Sequence, residues 1–291
     1  MKNKNRFKLF ILILLIPLFI SGCFKRDELE DIEILTTIYP LEYITNRLYG
    51  EHALVNSIYP DDTNPEEYTF SEKQMNDFSK KELFVYNGLS DDKDIAISFL
   101  DRNKNMLIID SAFGMELTYG VEELWLNPSH LLMMTQNIRN GLKEYISNSY
   151  LKKEIDKQYE TLKVDLSELD AEIKLTAENA TNKTLVVSNN VLKYLEKYGF
   201  TVISLDESSG IPNERTINDV KTLIQNDQVK HIFILENDEI NNTIQQIIDS
   251  TGVETQVFRK VDNITDQERD NKEDYLSIMN QNIDAIKAEL Y

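Results

Sequence analysis

Short β-branched runs alternate with helix-patterned segments along most of this chain. Residues 32–39 (IEILTTIY), 53–59, 83–86 and 106–110 read as strands, being short, rich in Ile, Leu, Val and Tyr, and bounded by polar turns. Between them, 41–49 carries apolar residues at helical spacing, and 71–80 opens on Ser71, a residue type suited to a helix N-cap. Strands alternating with helices predict βαβ units and a mostly parallel sheet.

The pattern changes over 131–181, which has no Pro and a single glycine, Gly141. Leu151, Ile155, Tyr159, Leu162, Leu166, Leu169 and Ile173 recur at helical spacing. A helix of about 30 residues is about 45 Å long, enough to run the length of two lobes. A coiled-coil arm fits less well, because the heptad run is short and imperfect. The alternation then resumes, with strands at 184–188, 202–205, 231–235 and 255–261 and helices at 191–198, 217–225, 240–250 and 272–290. The expected fold is α/β, with two lobes joined by one long backbone helix. Each lobe is a mostly parallel sheet flanked by helices. The N-terminal lobe is expected at 32–130, the helical region at 131–181 and the C-terminal lobe at 182–291.

The first residues read as an address. Lys2, Lys4, Arg6 and Lys8 precede an apolar run at 9–20, interrupted by Pro17. That run is shorter than the ~20 residues a membrane span needs and suits an export signal. It ends in Ser21-Gly22-Cys23, which resembles the lipobox of bacterial lipoproteins, and Cys23 is the sole cysteine. The resemblance implies a signal peptide at 1–22, lipid on Cys23, a charged tether at 23–31 and an extracytoplasmic protein anchored to the cell membrane. Two lipid chains anchor stably without help from basic residues.

Charge narrows the remaining classes. With 31 Lys+Arg against 50 Asp+Glu, the chain carries −19 at pH 7. That argues against nucleic acid as a partner and against docking on anionic lipid through charge. One cysteine excludes an internal disulfide framework, and three histidines leave little for a histidine-built metal site. No nucleophile elbow, phosphate loop or metalloprotease motif is present, so no enzyme activity is expected.

Six segments, in order, resemble the metal-binding lipoproteins of bacterial zinc and manganese ABC importers, the solute-binding group that includes streptococcal surface adhesins. They are Thr36-Thr37-Ile38-Tyr39-Pro40; Tyr59-Pro60 with Pro65-Glu66-Glu67-Tyr68; Leu83-Phe84-Val85-Tyr86-Asn87-Gly88; Trp125-Leu126-Asn127-Pro128; Tyr194-Leu195 with Tyr198-Gly199; and 275–290. The resemblance implies two α/β lobes, a rigid connecting helix and one metal ion in the cleft between the lobes. It also implies a monomer that serves an ABC permease.

The metal positions are where this sequence departs from the family. Where the family has Pro-His-(Asp/Glu)-Tyr, this chain has Glu66 in the histidine's place. Where it has His-x-Trp-Leu-(Asp/Ser)-Pro, Glu123 stands two residues before Trp125. Asn189 follows Ser188 at the third position, and Asp262 best matches the fourth. The implied ligands Glu66, Glu123, Asn189 and Asp262 are all oxygen donors, expected to converge in one cleft.

Oxygen ligands suit Mn²⁺, Mg²⁺ or Ca²⁺ better than the imidazole-rich sets that favour zinc. Two readings follow. In one, the cleft takes one divalent cation, Mn²⁺, Zn²⁺ or Ca²⁺, with altered or weak affinity. In the other, it takes none and the scaffold is a metal-free, adhesin-like surface lipoprotein. His52, His130 and His231 match no ligand position and are read as structural, His130 being the nearest to Glu123. Asp206, Glu207 and Glu236 stand at the carboxyl ends of strands, where α/β sheets bind ligands, but read first as solvated loop acids.

Overall fold

The computed structural model describes Leu29, residues 31–208 and residues 210–291. The export signal, Cys23 and most of the tether lie outside the described residues. The first lobe carries β1 (Ile32–Thr36), β2 (Ala53–Ser57), β3 (Leu83–Tyr86) and β4 (Leu107–Asp110) in the order β2-β1-β3-β4. The second carries β5 (Thr184–Val187), β6 (Thr201–Ser204), β7 (His231–Leu235) and β8 (Glu254–Phe258) in the order β6-β5-β7-β8. Every strand pairing is parallel. Central strands such as LFVY and HIFIL are almost uninterrupted apolar runs because helices cover both faces of each sheet.

Helices α1 (Tyr39–Tyr49), α2 (Glu72–Phe78) and α3 (Asp92–Arg102) belong to the first lobe. Ser71 caps α2 with a full capping box, as its position promised. The short α4 (Glu123–Leu126) leads into α5 (Pro128–Tyr145) and the long α6 (Ser149–Asn179). The second lobe adds α7 (Glu214–Gln225), α8 (Asn242–Thr251), α9 (Asp266–Asp270) and α10 (Tyr275–Leu290).

The 31-residue α6 buries the seven apolar positions that its spacing marks. It touches both lobes. Arg47 of α1 meets Asp165 at 2.5 Å, and Lys287 of α10 meets Glu172 at 2.7 Å. The Tyr291 hydroxyl donates to the Thr176 carbonyl. One continuous core, running from Ile34 through Ile155 to Tyr275, therefore joins the lobes through this rod.

Three elements differ from expectation. Residues 190–198 form a 3₁₀ helix rather than an α-helix. Their buried side chains fall in rows three apart, Val191–Tyr194 and Leu192–Leu195–Tyr198, which a three-residue turn stacks on one face. Gly199, at φ +101°, ends it in the left-handed region. The closing helix starts at Tyr275 rather than at 272, because Lys272 at φ +60° breaks the chain and Asp274 caps α10, and the short α9 stands before it as a separate helix. Helix α3 falls where no element is expected, although Ile95-Ala96 and Phe99-Leu100 recur four residues apart and face the core behind an acidic first turn.

Gly141 marks a close approach, since a Cβ there would lie 2.7 Å from Ile109 Cγ1 of β4. Gly141→Ala is expected to destabilise by about 1–2 kcal/mol. Overpacking costs about 1–3 kcal/mol, and the gain in helix propensity offsets up to about 1. Urea unfolding checks this, and a stabilised variant would show that Ile109 yields freely.

Candidate functional site

The site is built on loops at the carboxyl ends of the strands, the usual binding edge of parallel sheets. After β8 the chain runs Arg259-Lys260-Val261-Asp262. Lys260 is only 2 % exposed, yet it carries a charge. Its Nζ stands 2.8 Å from a Glu66 oxygen and 3.5 Å from Asp262 Oδ2. The backbone around it is fixed on both sides. Glu236 accepts the Lys260 N–H at 2.9 Å, and the Trp125 indole N–H donates to the Lys260 carbonyl at 2.8 Å. Val261 is held at φ +61°, a rare conformation for a β-branched residue that costs about 1–3 kcal/mol. The Tyr39 N–H, donating to the Asp262 carbonyl at 2.9 Å, helps hold that turn.

The loop of the first lobe that carries Glu66 is fastened to the same segment. The Asn263 amide donates to the Pro60 carbonyl at 2.8 Å. Arg269 spans Glu42 at 2.9 Å and Asp61 at 2.5 Å. These contacts set Glu66 opposite Asp262 before any ligand arrives.

The electrostatics are those of an acidic cage closed around an ammonium. Burial pushes the Asp262 carboxyl up to about 6, with Lys260 acting against the shift and Glu236 and Glu66 adding to it. Burial likewise raises Glu122 and Asp238, and both sense the Lys260 charge. Burial alone would lower the Lys260 ammonium, but Asp262 and Glu66 outweigh it and hold the proton more firmly than usual.

The sequence-predicted ligands are only partly brought together. Glu66 and Asp262 meet on Lys260. Asn189 stands behind Asp238, donating from Nδ2 to Oδ2 at 3.0 Å, while its Oδ1 caps Val191. Glu123 is the correction. Its carboxylate turns away from the cleft, accepts the Tyr119 N–H at 3.1 Å and lies 3.6 Å from His130 Nδ1. The preceding residue, Glu122, lines the cleft instead, because the single turn of α4 aims adjacent residues about 100° apart. Motif spacing therefore reached the turn that borders the cleft, one residue away from the acid that lines it.

Sequence reasoning missed Lys260, Glu122 and Asp238. Asp238 had a signal, lying just past the carboxyl end of β7. Lys260 had none, since β8 ends at Phe258 and Lys260, Val261 and Asp262 are buried in succession, with no alternation to mark the lysine as inward.

The remaining candidates are structural. Asp206 accepts the Asn190 and Ser208 N–H groups, and Glu207 accepts the Thr243 N–H. His231 Nδ1 lies 2.8 Å from Glu289, and His52 Nε2 lies 2.8 Å from Glu154 of α6. Glu51, His52 and Glu154 are the one group among the described residues whose possible ligand atoms all lie within 4.8 Å, and they stand away from the cleft. Burial lowers the His130 pKa below its usual ~6.5. As pH falls, the unfolded chain therefore takes up this proton first. The stability gained by keeping the ring neutral is present above pH ~6.5 and lost as pH drops towards the folded value. Wild type is expected to lose more stability between pH 7 and 5 than His130→Gln, read from urea midpoints. Equal losses would show that the ring titrates freely.

Residues 34–289 match the family described as ZnuA, zinc-uptake complex component A, periplasmic. The chain belongs to this ZnuA family. The high-affinity zinc uptake system protein ZnuA of Bacillus subtilis is 22 % identical, over 91 % of this chain and 89 % of that protein. A metal ABC transporter substrate-binding lipoprotein of Lactococcus lactis is 26 % identical, over 98 % and 97 %. The zinc-binding lipoprotein AdcA of Streptococcus pneumoniae is longer, and this chain spans 60 % of it at 22 % identity. Among solved structures, the metal-dependent lipoprotein YcdH of Bacillus subtilis superposes with a TM-score of 0.72 at 21 % identity, covering 89 % of this chain and 99 % of that one. The Zn(II)-bound ZnuA-like domain of AdcA superposes at 0.70 and 22 % identity, covering 89 % and 99 %. This ZnuA-family chain thus has the two-lobed binding-protein fold, in a family of uptake components rather than enzymes. Among its described residues no helix is long and apolar enough to cross a membrane.

Proposed function

We propose that this chain is the extracytoplasmic solute-binding subunit of a metal-uptake ABC transporter, anchored through lipid on Cys23, with its cleft re-tuned to oxygen ligands and weak metal binding. The observation that carries the reading is the Lys260 ammonium, 2.8 Å from Glu66 and 3.5 Å from Asp262, among carboxylates that would otherwise ligate an ion. An entering divalent cation must displace that ammonium. Its shell would draw on Glu66, Glu122, Asp238 and Asp262, no three of which have ligand atoms within 4.8 Å of one another around the ammonium, so the acids must draw in as it leaves, with Asn189 orienting Asp238 from behind. Such a set suits hard cations such as Mn²⁺ or Ca²⁺ over Zn²⁺. Membership of an uptake family supports delivery to a permease as the purpose of binding.

Titration calorimetry of the full chain in nonionic detergent with Zn²⁺, Mn²⁺ and Ca²⁺ tests this. One weakly bound ion per chain is expected, with affinity falling about tenfold or more in Asp238→Asn. Nanomolar zinc binding by the wild type would remove Lys260 as a competitor. Absence of binding in wild type and in Lys260→Met alike would remove the metal-delivery reading.

A further inference from the structure

The cleft continues into a cavity of about 840 Å³, far more than one ion requires and of the size that takes small organic ligands. One wall is aromatic. Tyr59, Tyr68 and Phe70 pack with ring centroids 5.0 to 6.0 Å apart. Trp125 also lines the space. The charged lining is acidic, with Asp91, Asp92 and Glu122 contributing. Arg102, the one basic residue lining it, is engaged by Glu72 at 3.0 Å and by the Ser98 carbonyl at 3.0 Å.

Asn87 adds an independent observation. It is 1 % exposed and lines the cavity, and its Nδ2 has no partner among the described residues. Its Oδ1 is already used by the Leu89 N–H at 3.0 Å, so the amide orientation is fixed and the free end is a donor. A buried donor left unpaired costs about 1–3 kcal/mol, which a ligand oxygen would recover once the side chains that shield Nδ2 from the cavity move aside. That oxygen must be neutral, because the surrounding acids repel a carboxylate. Lys260 shows what the acidic side accepts, since its own primary ammonium sits against Glu66 and Asp262.

We propose that this cavity is a second subsite of the cleft for a small organic ammonium ligand. Its ammonium faces Glu122 and Asp91, its apolar body lies over Tyr68 and Phe70, and a neutral oxygen acceptor meets Asn87 Nδ2. Amino-acid amides and amino alcohols have this chemistry. Cation–π attraction to the rings adds to the charge pairing. The inference rests on the reading of the cleft as a solute-binding site, but not on metal binding.

The test is calorimetry on the full chain in nonionic detergent, with phenylalaninamide as the probe and N-acetylphenylalaninamide as its uncharged counterpart. Quenching or enhancement of the single tryptophan, Trp125, gives a second readout. One saturable site per chain is expected, with at least tenfold preference for the charged amide. Affinity should fall about tenfold in Glu122→Gln and, should that variant misfold, in the more exposed Asp91→Asn. No binding, equal binding of the uncharged amide, or affinity unchanged in folded variants would overturn the proposal. Metal binding without amide binding would overturn this subsite alone. Amide binding without metal binding in any variant would overturn the metal reading and leave the subsite standing.

Discussion

Lys260→Met is expected to destabilise the metal-free chain by about 3–5 kcal/mol at neutral pH and to make it bind a divalent cation about 100-fold more tightly. The side chain keeps its length and loses its charge. Asp262 and Asp238 are then left partly desolvated beside Glu122 and Glu66 with no counter-ion. Removing one partner of a buried pair carries this cost because the surviving charge stays buried. The loss should depend on pH in a stated direction. Asp262 is already pushed up to about 6 in the wild type, and without the ammonium it rises further. A carboxyl raised in the folded state favours folding while protonated and loses that contribution as pH climbs through its folded value. The variant should therefore come closest to wild type near pH 5 and fall furthest below it near pH 8. A divalent cation should reverse the deficit, since a ligand at 100 times its Kd adds about 2.7 kcal/mol. Urea unfolding at the two pH values, with and without Mn²⁺ or Ca²⁺, measures all of this. Wild-type stability at pH 8 without metal would show that the ammonium does not neutralise the cage.

The architecture was legible because it is written in periodicity. The parallel strands are continuous apolar runs, and α6 repeats its buried face over 31 residues with no helix breaker. The site was legible only as far as it lies in local motif order. Glu66 and Asp262 fell where spacing put them, because each is anchored to a loop tied to its neighbours. Glu123 did not, because one residue of offset on a helix of four rotates the side chain out of the cleft. Lys260 escaped notice for a different reason. A lysine is read as surface by default, and only the closure of two lobes nearly 200 positions apart in the chain turns it into a buried cation. Charge pairing across that distance leaves no local pattern to read.

Trp125→Ala is expected to cost about 3–5 kcal/mol, the range for emptying a large aromatic from a core. It should also loosen the cleft from behind. Trp125 is 4 % exposed and belongs to the core that joins both lobes. Its indole donates to the Lys260 carbonyl at 2.8 Å, and its own carbonyl accepts the Tyr275 hydroxyl at 2.5 Å. One residue of α4 thus ties the strained turn after β8 to α10. Truncation opens a cavity and leaves the Lys260 carbonyl without its donor, next to a Val261 backbone that persists only while its surroundings enforce it. Trp125→Phe separates the two effects. It keeps most of the buried ring and loses the N–H, so it should retain most of the stability and still weaken ligand binding in the cleft. Urea unfolding gives the first quantity and calorimetry with Mn²⁺ the second. If Trp125→Phe binds as wild type does, the indole serves packing only, and the turn carrying Lys260 and Asp262 is held by Glu236 and Tyr39 without it.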